Sequence, residues 1–170
     1  DRHTEFEPRR AELIRAAAEA PEAKRTAARV DLARFYLARE MGAECKGVLD
    51  LALAEQAPTP ETAVAFLVRA IAQILMGRID GALKDLSYPT VGNQHEAPLW
   101  RAVAYAHQGK WSEASDGFRS VASTIGLLPL ELQRTVLKEM VRASIETGDI
   151  TGAVKQMEEF EAVGIPRELE

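Results

Sequence analysis

The sequence predicts an all-α fold, and three observations carry that expectation. Alanine occurs 28 times while Phe, Trp and Tyr together make up only 6% of the 170 residues. Small side chains at that density suit closely packed helices, and strand-favouring residues are scarce. Apolar residues recur at three- and four-residue steps through most of the chain, the period of a helix buried on one face. The interruptions fall at Pro and Gly, which favours helices joined by short turns.

The elements follow in order from those signals. Pro8, Pro21, Pro60, Pro98 and Pro129 each precede an apolar-periodic run, where a first-turn proline sacrifices no hydrogen bond. Thr59-Pro60-Glu61 reads as a helix start, with Thr59 as cap, Pro60 presetting φ and Glu61 at the positive end of the dipole. The layout is a lead helix over Pro8–Glu19, then helical pairs at Glu22–Met41 with Glu44–Gln56 and at Pro60–Met76 with Ile79–Ser87. A loop over Tyr88–Pro98 leads to Ala97–Gln108 with Trp111–Thr124, and a connection through Ile125–Pro129 to Pro129–Thr147 with Ile150–Val163.

A second signal repeats between those starts. Gly77, Gly109 and Gly148 are each followed two residues later by a large apolar residue (Ile79, Trp111, Ile150) and three residues after that by an alanine (Ala82, Ala114, Ala153). Gly42 to Gly47 is a weaker copy, so successive glycines stand 35, 32 and 39 residues apart. That spacing is in the range of stacked helical hairpins. The glycine closes one helix in the left-handed conformation that a Cβ would strain. The apolar residue opens the next helix facing inward, and the alanine keeps the pair near the short end of the ~8–10 Å helix spacing. Leu86, Phe118 and Met157, four residues beyond the alanines, continue the same stripe.

From Trp100 to Phe118 the chain resembles the tetratricopeptide repeat family: Ala102, Tyr105, Gly109, Trp111, Ala114 and Phe118 match that family's small, aromatic, Gly, aromatic, Ala and aromatic positions. With the partial copies around Gly77 and Gly148, the likeness covers about Ala23 to Val163. It implies a right-handed solenoid of about four hairpins over residues 22–166. Residues 1–21 form a lead helix or the remnant of a preceding repeat, and 167–170 a tail. It also implies a concave side built from the first helix of each pair. Leu32, Tyr36 and Arg39, then Leu67, Ile71 and Ile74, then Leu99, Val103 and His107, then Lys138, Arg142 and Ile145 would turn toward that groove. Trp100 stands off the template's large positions and is expected to be partly exposed, the best aromatic contact candidate. Val103 and Arg142 occupy slots where carboxylate-clamping members carry Asn, so that activity is not expected.

Chemistry beyond packing finds little support. A formal charge of −5 disfavours phosphate-backbone binding, and the first forty residues hold no basic arm. His3, His95 and His107 lack metal-pair spacing, and His107 reads as a cation near a helix C-terminus. The single Cys45 has no His or Asn placed to activate it. Glu158-Glu159, and Glu139 near Glu146, read as solvated helix faces rather than an acid–base pair. No phosphate-binding glycine loop, nucleophile elbow or dinucleotide fingerprint occurs. No cofactor or metal is called for, and the longest apolar stretch, Thr62 to Met76, is broken by Arg69 and Gln73 and is short of a bilayer span.

The expectation is a non-catalytic protein-binding or assembly module, part of a longer protein, taking a protein or peptide segment in its groove. The alternative is a regulatory domain that binds a small peptide or metabolite and controls an effector elsewhere. Self-association through exposed end faces stays open, and cytoplasm and periplasm are equally compatible. Reversing Arg39 and Arg142 to Glu is expected to weaken an acidic partner with little change in melting temperature.

Overall fold

Ten α-helices and one 3₁₀ segment account for the regular structure in a computed structural model that describes residues 5–54 and 56–162. Among the described residues there is no strand. The chain divides into two compact units, Asp1–Gln94 and His95–Glu170, with the boundary inside the segment where the proline pattern predicts a loop.

The first unit holds α1 (Phe6–Glu19), α2 (Glu22–Leu37), α3 (Gly42–Leu53), α4 (Ala63–Leu75), α5 (Ile79–Ser87) and the single-turn α6 (Pro89–Gly92). α2 pairs with α3 and α4 with α5, while α3 also packs on α4 and α2 on α4. The lead helix α1 is fastened to α2 by stacking of Phe6 on Phe35, 5.4 Å between ring centres, and by an Arg10 Nε–H that donates to the Tyr36 hydroxyl at 3.2 Å. The second unit holds α7 (Ala97–His107), α8 (Trp111–Val121), the 3₁₀ segment Ala122–Leu127, α9 (Leu130–Glu146) and α10 (Ile150–Ala162). Here α7 pairs with α8 and α9 with α10, and α8 and α7 both pack on α9.

All four hairpins close the same way. Gly77, Gly109 and Gly148 have φ of +71°, +72° and +76°, the left-handed region where the absence of a Cβ removes strain. In each case the glycine N–H and the next N–H turn back to the last helical turn: Gly77 to Ile74 and Arg78 to Gln73, Gly109 to Ala106 and Lys110 to Tyr105, Gly148 to Ile145 and Asp149 to Ser144. This is the Schellman pattern that satisfies otherwise orphaned carbonyls.

The fourth closure corrects the sequence register. The left-handed residue after α2 is Glu40, with φ +58°, and Glu40 and Met41 return to Leu37 and Tyr36. Gly42 is therefore the counterpart of Ile79 and Trp111, not of Gly77, and Cys45 fills the alanine slot. Glycine suits that place because a Cβ there would lie 3.1 Å from Met76 Cγ and 3.2 Å from the Ala72 carbonyl. The alanine wedges Ala82, Ala114 and Ala153 are buried, as is Cys45.

Three boundaries also move. α4 begins at Ala63 rather than at Pro60. The Thr62 hydroxyl accepts from Thr59 N–H and donates to the Ala57 carbonyl, both at 2.8 Å, so residues 59–62 form a turn before the helix. The Tyr88–Pro98 stretch is not wholly loop, since Pro89–Gly92 makes a helical turn with Val91 buried and Thr90 bonded to the Pro58 carbonyl. α8 stops at Val121, and Ala122–Leu127 tightens into 3₁₀ geometry.

Candidate functional site

The residues that the repeat likeness assigns to a groove fall into two groups. Tyr36, Leu67, Ile71 and Ile74 in the first unit are buried, and Leu99, Trp100 and Val103 in the second have no more than 0% exposure. Together with Leu32, also buried, they stabilise the helix packing, so they are corrected from contact residues to core. Trp100 in particular is not partly exposed. A first helix in a hairpin array touches its own second helix and the neighbouring hairpin, and the apolar positions serve those contacts first.

Arg39, His107, Lys138, Arg142 and Ile145 do reach the surface. Arg39 lies over the Phe35 ring at 3.8 Å and the Phe6 ring at 5.7 Å, and donates to the Phe35 carbonyl at 3.0 Å. Arg142 lies over Trp111 at 4.9 Å. Both guanidiniums are thus tied to aromatic faces, and reversing them is expected to cost stability, contrary to the sequence-based expectation. His107, the last residue of α7, faces the buried Glu139 of α9, Nε2 to Oε1 3.9 Å. The other Glu139 oxygen meets no donor among the described residues. Glu139 is therefore not the solvated side chain that its sequence neighbourhood suggests. His95 is exposed, and His3 lies outside the described residues. Burial pushes the Cys45 thiol up to about 12, so it is a packed, unreactive group.

The sequence reading missed a polar network in the first unit. Asp85 of α5, 3% exposed, receives Arg69 Nε and Nη2 at 2.8 Å each and Gln73 Nε2 at 2.8 Å. Arg69 also reaches Asp50 of α3 at 3.4 Å, and Asp50 in turn pairs with Lys46. The Asp85 carboxylate holds the Arg69 guanidinium above its ordinary pKa. Both oxygens of Asp85 are occupied, so this network binds α3, α4 and α5 together and offers no free base. Its trace in the sequence is the pair Arg69 and Gln73, one helical turn apart in an otherwise apolar run.

A cleft of about 410 Å³ opens between α2, along Ala23 to Arg34, and the start of α4. Ala23, Ala27, Val30 and Ala65 give it a small apolar floor, and Asp31, Arg34, Gln56 and Glu61 give it a polar rim. The Thr59 hydroxyl holds the Glu61 carboxyl below the usual range, so this rim position stays anionic. The lining of this cleft includes none of Tyr36, Arg39, Leu67, Ile71 and Ile74. A smaller hollow of about 250 Å³ lies among α8, α9 and α10, with Arg119, Lys155 and Glu159 on its walls. Among the described residues no group of three His, Cys, Asp or Glu side chains converges on a metal-sized point, and no helix is long and apolar enough to cross a membrane.

Comparison with protein-family models, with curated proteins and with solved structures gives no match, so the tetratricopeptide likeness rests on the repeat residues of this chain alone.

Proposed function

We propose that the chain is a non-catalytic interaction module, an array of tetratricopeptide-like hairpins that takes a short segment of a partner protein between its first helices. The observation that carries this reading is the α2/α4 cleft, whose volume of about 410 Å³ is in the ~300–1,000 Å³ range of ligand sites. Its floor of alanines and Val30 admits a small apolar side chain, and its rim of Asp31, Arg34 and Glu61 suits a segment carrying both charge signs. The ordered helix pairs on either side make the cleft preformed, which removes the ordering cost that weakens flexible sites.

The test uses a random peptide library displayed on phage, selected on the purified chain, followed by anisotropy titrations of the enriched peptides. Ala27→Trp fills the cleft from an exposed position and is expected to weaken those peptides at least tenfold while preserving helicity. Undiminished binding to Ala27→Trp would remove the cleft from the proposal. A small metabolite that raises the melting temperature of the parent chain but not of Ala27→Trp would favour the regulatory-domain reading instead.

A further inference from the structure

The four left-handed closures give every second helix a common numbering. Two residues beyond the left-handed residue stand Gly42, Ile79, Trp111 and Ile150, and nine beyond it stand Leu49, Leu86, Phe118 and Met157. At the tenth position α3 and α10 both carry an acid, Asp50 and Glu158.

In α3 the next helix engages that face. A Cβ at Gly42 would meet Ala72 and Leu75 of α4 and Met76 just beyond it, Leu49 is 0% exposed, and Asp50 faces Arg69 of α4 at 3.4 Å. In α10 the same positions are uncovered: Ile150 is 63% and Met157 36% exposed, with Val154 between them at 52%. The spacing of 150, 154 and 157 puts all three on one face. Glu158 and Glu161 are exposed along it, while Lys155 and Glu159 line the hollow toward α8 and α9.

We infer that the outer face of α10 docks an amphipathic helix of a partner protein, laid on it as α4 lies on α3, with a basic side chain meeting Glu158. Charge selects this occupant over a second copy of α10. Packed antiparallel about Val154, two α10 stripes would set Glu158 opposite Ile150 of the other copy, where the carboxylate loses water and meets no cation. A helix with a basic flank gains where the copy loses. This surface is separate from the α2/α4 cleft and does not depend on it.

The probe is a fluorophore-labelled synthetic peptide of residues 59–78, which carries α4 with Arg69, fitted with a solubilising tail and titrated into the full 170-residue chain. Saturable binding is expected, lost at least tenfold in Val154→Glu and unchanged in Ala27→Trp. Met157→Glu, checked by its melting curve, serves the same purpose if Val154→Glu alters the fold. Glu158→Arg is expected to weaken the peptide about tenfold, and a peptide with Arg69→Glu to recover that loss. Absence of saturable binding, or binding indifferent to Val154→Glu and Met157→Glu, would overturn the inference. So would sedimentation showing that the chain alone self-associates through a contact that Val154→Glu abolishes, because the occupant would then be a second copy.

Discussion

Asp85 is where removing a few atoms should cost most. Its carboxylate is 3% exposed and takes two 2.8 Å bonds from Arg69 and one from Gln73. Asp85→Ala leaves the Arg69 guanidinium, 19% exposed, with the 3.4 Å contact to Asp50 and its place over the Phe66 ring at 4.9 Å, and leaves the Gln73 amide without its acceptor. Breaking one side of a buried ion pair costs about 3–5 kcal/mol, a large share of the ~5–15 kcal/mol that holds a typical domain. Arg69→Met with Asp85→Leu removes both charges at similar volume. The double variant should recover most of the loss, keeping a residual of about 1 kcal/mol for the unpaired Gln73 amide. Urea denaturation of the parent chain, Asp85→Leu, Arg69→Met and their double variant, followed by circular dichroism, gives the coupling energy directly. Because the pair is largely dry, 1 M salt should change that coupling little. The reasoning fails if Asp85→Ala costs under about 1 kcal/mol or if the double variant loses the sum of the singles.

Glycine substitutions should split by backbone and space: Gly77→Ala, Gly109→Ala and Gly148→Ala each lose about 1–2 kcal/mol in chemical denaturation because their φ is left-handed. Gly47→Ala, exposed within α3 with nothing within 4 Å of the new Cβ, gains about 0.5–1 kcal/mol. Gly117→Ala loses stability despite its helical position, because its Cβ would lie 2.8 Å from that of Ala102. The Cys45 thiol titrates near 12 folded and near its ordinary 9.0 unfolded, so its contribution is intact below pH 9. Above that it falls by about 1.4 kcal/mol per pH unit until pH 12, a slope that denaturation curves of Cys45→Ala should lack. Arg39→Ala should cost about 1 kcal/mol through loss of its stacking on Phe35 and its bond to the Phe35 carbonyl, seen as a lower urea midpoint.

Helix existence and the closing glycines are legible because each rests on a local rule. Gly77, Gly109 and Gly148 follow a helical run and are needed for φ alone, and Ile79–Ser87 is bounded by the same signals in sequence and structure. The register of the first hairpin is not legible. Glu40 takes a left-handed φ that its residue type does not announce, and the nearby Gly42 serves a different need, the close approach of α4. One residue type thus answers two physical demands, and only the packing of α4 distinguishes them. The α4 start is misread for a related reason: Pro60 and Thr59 carry strong start signals, but Thr62 supplies the hydroxyl that organises the turn.

The candidate site is harder to read than the fold because apolar periodicity reports burial without saying what covers the face. Ile71 and Met157 both look like stripe residues, yet Ile71 is core and Met157 is exposed at 36%. Charge gives the missing discrimination when it is read by repeat position rather than by neighbourhood. Asp50 and Glu158 share one position, and in α3 that acid is answered by Arg69 from the adjoining helix. An acid whose counterpart is matched across a helix interface marks α10 as an interface face, whereas Arg39 and Arg142, each already over an aromatic ring, mark faces whose charges are spent within the chain. The docking proposed for α10 thus rests on an acid that α3 repeats and on apolar positions that α3 buries and α10 exposes.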